Sequence, residues 1–160
     1  MLERFPNMEE EYVCPGMEYD QLFEATYNHK GGKTCQQCYR SKVVERAPRK
    51  NSAPRIHHGT IGSANEVIKD SETRDKLRTD LGILCVEMEA AGLQDEFQCL
   101  VIRGICDYAD SHKNDIWQPY AAATAAAYAK ELLSIIPLQE IVPTKKAVEV
   151  LLKSTGTLDL

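Results

Sequence analysis

No apolar run in this chain approaches the roughly 20 residues that a helix needs to cross a bilayer, so no membrane-spanning segment is expected. The opening stretch, Met1-Leu2-Glu3-Arg4-Phe5-Pro6, has neither the basic nor the apolar region of a secretory leader. A surplus of positive charge is missing too: 19 lysines and arginines stand against 24 aspartates and glutamates, a formal net charge of -5. Sequence-independent binding to nucleic acid or to anionic lipid depends on basic surplus, so neither partner is expected. There is no internal repeat and no low-complexity tract. Six cysteines are present, but only Cys35 and Cys38 form a close pair, and Cys85, Cys99 and Cys106 lie in apolar runs, where a reduced cysteine acts as a small hydrophobe. That usage fits a reducing, cytoplasmic compartment better than a disulfide framework.

What is present suits one compact domain: 160 residues, 43% hydrophobic and 27% charged. Three zones differ in character. Residues 1–55 are polar and irregular, with turn signals at Asn7, Pro15-Gly16, Gly31-Gly32, Pro48 and Pro54 and the C-x-x-C pair as an insertion. Residues 56–137 alternate strand-like and helix-like pieces. Residues 138–160 read as a tail or linker to a following module, with a small amphipathic piece from Lys145 to Lys153.

Within the middle zone, Ile56 to Ile61 reads as a strand, and Asp70 as the N-cap of a polar helix ending near Gly82. The apolar run Ile83 to Val86 leads into Glu87-Met88-Glu89-Ala90-Ala91, where a strand gives way to a helix. Leu100 to Ile105 is nearly uniformly apolar, the pattern of a strand covered on both faces. An Ala-rich helix runs from about Trp117 to Ile136, with Asn114 and Asp115 as capping candidates, Pro119 in its first turn, Pro137 as its stop and Ala121 to Ala129 as core. This alternation predicts an α/β fold with ligands near the strand ends.

Two segments carry candidate chemistry. Glu87 and Glu89 flank Met88 where an apolar strand ends. In an extended segment they would share one side; once a helix has begun they would diverge and serve as first-turn acids favoured by the helix dipole. Arg103-Gly104-Ile105-Cys106-Asp107-Tyr108-Ala109-Asp110 runs from a buried strand into two aspartates, which either face a ligand or satisfy nearby backbone N–H groups.

Taken together, Val86-Glu87-Met88-Glu89-Ala90-Ala91-Gly92 and Val101-Ile102-Arg103-Gly104-Ile105-Cys106-Asp107-Tyr108-Ala109-Asp110 resemble the nucleoside phosphorylase/nucleosidase superfamily. They are closest to its methylthioadenosine/S-adenosylhomocysteine nucleosidase branch, in which a VEMEA-type motif precedes R-x-I-S-D-x-A-D. Gly59 to Ile68 is similar to that family's IASGD stretch. The run from Cys106 to Asn114 into Trp117-Gln118-Pro119-Tyr120 is similar to phosphorylase-like domains at the front of multidomain intracellular receptors, where an NTPase or helical-repeat module follows.

The resemblance covers roughly residues 56–136 and implies part of a three-layer α/β fold, a mixed sheet with flanking helices, corresponding to the family's C-terminal half. It implies cleavage of a purine nucleoside's N-glycosidic bond, as an N-ribosyl transferase or hydrolase. Asp107 matches the general acid that protonates N7, with the preceding apolar strand expected to supply the desolvation that keeps its proton in place. Glu89 matches the ribose-binding carboxylate. Met88 would pack on the ribose, Val67 and Ile68 would line the base pocket, and Glu87 and Cys106 would adjoin the substrate, Cys106 where that branch has serine. No cofactor is implied, only phosphate as co-substrate for a phosphorylase. The partners implied are a purine nucleoside, a fused NTPase or repeat module, or a second copy of the chain. The family's Gly-rich phosphate or water site has no counterpart in residues 1–55, so activity of this stretch by itself is not expected. The alternatives are a noncatalytic nucleoside-sensing module of a larger receptor and a half-domain that folds only against a partner chain.

Other features read as structural. With no second C-x-x-C to complete a zinc set, Cys35 and Cys38, near His29 and Cys14, read as free thiols and no metal site is assigned. His57 and His58 read as packed or edge residues, and Arg103 as a structural partner for a carboxylate such as Glu87.

Overall fold

Asp70 and Gly82 bracket the best-defined helix of the chain, as their residue types predict. The Asp70 carboxylate accepts the Thr73 N–H at 2.7 Å, and Gly82 closes the helix in the left-handed region at φ 65°, where a side chain would be strained. The computed structural model describes residues 6–51, 53–94 and 99–137. Their elements are α1 (Pro6–Tyr12), β1 (Thr60–Ser63), α2 (Ser71–Leu81), β2 (Ile83–Glu87), α3 (Ala90–Gln94) and α4 (Gln118–Ile135), with 3₁₀ turns at Met17–Tyr19, Cys35–Gln37 and Arg40–Lys42. The Lys145 to Lys153 piece lies outside the described residues.

The fold is α/β. β1 and β2 pair in parallel, connected through α2, which packs on β2. The strand expected over Ile56 to Ile61 instead spans Thr60–Ser63, because β2 begins opposite Thr60, in register Thr60↔Ile83 through Ser63↔Glu87. Among the described residues, no strand lies beside residues 56–59 to accept their backbone hydrogen bonds.

Leu100 to Ile105 departs further from expectation. It forms no strand pairing among the described residues, and Leu100 and Ile105 are 74% and 55% exposed. A uniformly apolar run becomes a central strand only when a neighbour pairs with each edge and a layer covers each face. Here the contact is with α4. A Cβ on Gly104 would collide with the Ala121 carbonyl, so only glycine lets the helix lie this close. The Ala-rich stretch is therefore core at Ala121 alone of the fully buried kind; Ala122, Ala126 and Ala127 are exposed. Pro119 sits in the first turn of α4 as expected. The N-cap position is Trp117, without a side-chain bond, while Asn114 and Asp115 brace the turn before it: Asn114 accepts the Ile116 N–H and the Asp115 carbonyl accepts the Gln118 N–H.

The upstream segment carries its own clasp. Phe23 and Val43 form an antiparallel bridge, flanked by Glu24 N–H to Lys42 O at 2.9 Å and Val44 N–H to Leu22 O at 2.7 Å. Phe23 is buried and stacks flat on the His112 imidazole, ring centres 4.0 Å apart. Residues on both sides of position 55 thus share one packed cluster. α1 packs on α4. Among the described residues, no helix is long and apolar enough to cross a membrane.

Candidate functional site

The parallel pair ends on Ser63 and Glu87, register partners at the entry to α3. Glu87 is 5% exposed, and its Oε2 accepts the N–H groups of Glu89 and Ala90, each at 2.9 Å. The Ser63 hydroxyl oxygen accepts the Ala91 N–H at 3.0 Å. Burial alone would raise the Glu87 carboxyl, but the Ser63 hydroxyl and the two backbone N–H groups outweigh it and hold the carboxyl below its ordinary value. Glu87 is thus spent on capping a helix start, and its Oε1 is buried without a hydrogen-bond partner.

Glu89 goes the other way. Its side chain is 72% exposed, with Arg103 Nη1 3.6 Å from Oε2. The two glutamates diverge because the chain has begun to turn into α3 by position 89, which ends the two-residue alternation of a strand. Arg103 pairs with Glu89 rather than Glu87.

The second motif forms a polar loop. Asp107 Oδ1 accepts the Ala109 N–H at 2.8 Å; Oδ2 lies 3.2 Å from Lys113 Nζ and 3.4 Å from Cys106 Sγ. In place of the expected apolar surround the carboxyl meets an N–H, an ammonium and a thiol. Burial, followed by the Asp107 charge, pushes the Cys106 thiol up to about 11. Ala109 is held at φ 51°, a region that favours glycine. Asp110, fully buried, accepts the His112 N–H at 2.9 Å and faces Arg74 at 3.6 Å, while Arg74 also donates to the Tyr108 carbonyl at 3.0 Å. These contacts pin the loop to α2. Tyr108 in turn bonds to Asp20 and Arg46 from the upstream segment.

A cleft of about 1850 Å³ opens beside this loop. Asp107, Cys106 and Arg103 line it, together with His57 and His58, Ile56, Leu84 and Tyr120. Glu87, Met88, Glu89, Val67 and Ile68 do not. The structure thus brings Asp107 and Cys106 to the cleft and leaves the other five predicted residues outside its lining, with Arg103 reaching from the cleft to Glu89. His57 and His58 are exposed on its wall rather than packed. Lys113, Tyr108, Asp20 and Arg46 were not singled out from sequence. The polar run Asp107 to Asn114 signals the first two, whereas nothing local marks Asp20 or Arg46.

The sequence model of the family described as "Phosphorylase superfamily" matches residues 4–136, so the match takes in the upstream segment as well as the alternating zone. The chain is 50% identical over 135 residues to a "Nucleotide-binding leucine-rich repeat (NLR)-like protein" of Hyaloscypha variabilis, covering 84% of this chain and 13% of that protein. It is 30% identical over 90 residues to a "5'-methylthioadenosine/S-adenosylhomocysteine nucleosidase" of Mycobacterium bovis and to one of Mycobacterium tuberculosis, covering 53% of this chain and 35% of each. The chain thus spans a minor part of the length of these curated relatives. No solved structure matches it.

Proposed function

This chain belongs to the phosphorylase superfamily, and from that premise we propose that it holds a purine nucleoside and promotes cleavage of the N-glycosidic bond. The acid is Asp107 and the ribose clamp is Glu89. The observation that carries the reading is the placement of Asp107 on the cleft wall, four residues along the chain from an arginine that lines the same cleft and pairs with Glu89.

As the bond breaks, the sugar gains oxocarbenium character and the purine gains negative charge. A proton from Asp107 to N7 neutralises the leaving base. Oδ1 holds the Ala109 N–H, so the proton passes from Oδ2 as the base takes the place of the Cys106 thiol there, and the Lys113 ammonium beside it adds positive charge where the base becomes anionic. Glu89 offers two acceptor oxygens to the 2′ and 3′ hydroxyls. Its exposed contact with Arg103 is of the weak surface kind that sugar hydroxyls displace. A nucleoside at the Arg103 end of the cleft is the placement that this reading requires, with Met88 against the ribose and Val67 and Ile68 near the base. The acceptor is water in a nucleosidase and phosphate in a phosphorylase, with no cofactor in either.

The test is release of free base from purine nucleosides incubated with the chain joined to a complete N-terminal half of the family fold, with and without phosphate, followed by chromatography. Base release that falls about 100-fold or more in Asp107→Asn supports the assignment. No release by the wild type, or an equally fast variant, overturns it.

A second reading, nucleoside sensing without turnover in a larger receptor, is supported by the exposure of Glu89 away from the cleft lining and by the likeness to the NLR-like protein, of which the chain covers 13%. In that setting a fused NTPase or repeat module, or a second copy of the chain, is the partner. Saturable nucleoside binding by calorimetry with no base released favours sensing; turnover rejects it.

A further inference from the structure

His29, Cys35, Cys38 and His112 meet where the upstream segment packs on the Asp107 loop. One ligating atom from each of His29, Cys35 and Cys38 lies within 4.8 Å of the other two. In a tetrahedral zinc site, with metal–ligand bonds of about 2.0–2.3 Å, donor atoms stand roughly 3.3–3.8 Å apart, so the three converge on an ion by shifts of about 1 Å. A 3₁₀ turn, closed by the Cys38 N–H to the Cys35 carbonyl at 3.0 Å, brings the two sulfurs of the C-x-x-C together. The His29 ring is fixed at both nitrogens, Nδ1 receiving the Gly31 N–H at 3.1 Å and Nε2 lying 3.2 Å from the Thr34 carbonyl. A backbone carbonyl on one ring nitrogen is the usual way a metal-bound imidazole is oriented, and Nδ1 binds an ion by giving up the Gly31 N–H.

His112 stands beside this trio but outside the set whose ligating atoms all lie within 4.8 Å of one another, so its ring has to move toward the ion to serve as a fourth donor. Its ring meets that of His29 edge to face with centres 5.4 Å apart, and the Cys35 thiol lies 3.8 Å from the His112 carbonyl oxygen. The residue is buried, yet its Nε2 has no hydrogen-bond partner. Its other nitrogen, Nδ1, faces the Asp110 carboxylate at 3.7 Å. A carboxylate behind one nitrogen and an unused lone pair at the other is the arrangement of a histidine held for a metal. Leaving that nitrogen unmet in a buried, aromatic-walled position carries a desolvation cost with nothing in the described residues to offset it.

We propose that His29, Cys35, Cys38 and His112 form a structural site for Zn²⁺. Two thiolates and two imidazoles are the donor set of a borderline-soft divalent cation, and four protein donors leave no open position for a substrate. On binding, two Zn–S and two Zn–N bonds form and the two thiols release their protons to solvent, with no change of oxidation state. The ion staples residues 29–38 to the loop that carries Asp107. The absence of a second C-x-x-C excludes a four-cysteine set; the histidines that complete this one come from six residues before Cys35 and from the far side of the domain. The site stands independently of the nucleoside reading.

The whole chain, purified under mild reductant, is expected to retain one zinc per chain by elemental mass spectrometry. Co²⁺ added to the stripped chain is expected to give tetrahedral visible bands and thiolate-to-metal charge transfer that Zn²⁺ bleaches. Cys38→Ser lowers Co²⁺ affinity at least 100-fold; His112→Asn lowers it at least tenfold while the charge-transfer band survives. Wild-type chain that holds no stoichiometric zinc and shows no charge transfer, or a Cys35–Cys38 disulfide that persists under the reductant, overturns the site without recourse to any variant. Unchanged affinity in His112→Asn overturns the four-donor assignment.

Discussion

The Tyr108 hydroxyl donates a hydrogen bond to Oδ1 of Asp20 across 88 residues of sequence, and Arg46 contacts both partners. Burial would raise the Asp20 carboxyl, but the Tyr108 and Arg46 hydrogen bonds, with the charges of Arg46 and Arg49, outweigh it and hold it below the ordinary value. Burial and then Asp20 push the Tyr108 phenol up to about 12. A depressed carboxyl stabilises the fold fully above the unfolded value near 4 and loses that contribution as pH falls through the folded value. A raised phenol stabilises fully below about 10 and loses its contribution as pH climbs toward the folded value. Stability measured by urea unfolding is therefore expected to fall at both ends of the pH scale. Tyr108→Phe should cost about 1–3 kcal/mol at neutral pH and flatten the alkaline limb. An alkaline limb of wild-type steepness in that variant would show that the pair does not set it.

Glu87 and Glu89 should separate cleanly by experiment. Glu87→Ala strands two helix-start N–H groups in a buried place and is expected to cost about 1–3 kcal/mol, seen as a lower Tm. Glu89→Ala removes an exposed side chain whose ion pair is worth under about 1 kcal/mol, so the Tm should barely move. Calorimetric titration with a purine nucleoside should show the reverse order, Glu89→Ala losing at least tenfold in affinity. Equal losses of affinity in the two variants would contradict this division of labour.

Gly104→Ala places a methyl group against the backbone of α4 at Ala121. Backbone cannot swing aside as a flexible side chain does, so a cost of about 1–3 kcal/mol is expected. Thermal unfolding reads it directly. A variant with wild-type Tm would mean that α4 does not rest on this segment.

Ala109 occupies the left-handed region between the two loop aspartates, where a β-branched residue is more strained than alanine. Ala109→Val should cost about 1–3 kcal/mol, while Ala109→Gly should be near neutral, relief of strain offsetting the greater freedom of the unfolded glycine. If valine were tolerated as well as glycine, position 109 would not hold this backbone conformation.

Some of the architecture was open to inspection in the chain itself. Asp70, Gly82, Pro119 and Pro137 mark α2 and α4 to within a residue or two, and Ile83 starts β2 where its apolar run starts. Asp107, which the motif singles out, stands on the cleft wall. The uniform apolarity of residues 100–105 misled, since it records a preference for cover without saying whether cover is there. Residues 1–55 looked unstructured because their clasp and their stacking on His112 join residues too far apart to leave a periodic trace.

The boundary between the two kinds of information follows the range of the forces. Caps, proline stops and helix preferences act over three or four neighbours, so the α/β alternation and the order of its elements are written in the residues. Three matters wait on packing between remote segments: that Glu87 turns in while Glu89 turns out, that Arg103 reaches Glu89, and that His112 comes to lie beside His29 and Cys35. A histidine 77 positions beyond Cys35 lies against it, in a cluster where Phe23 stacks on its ring.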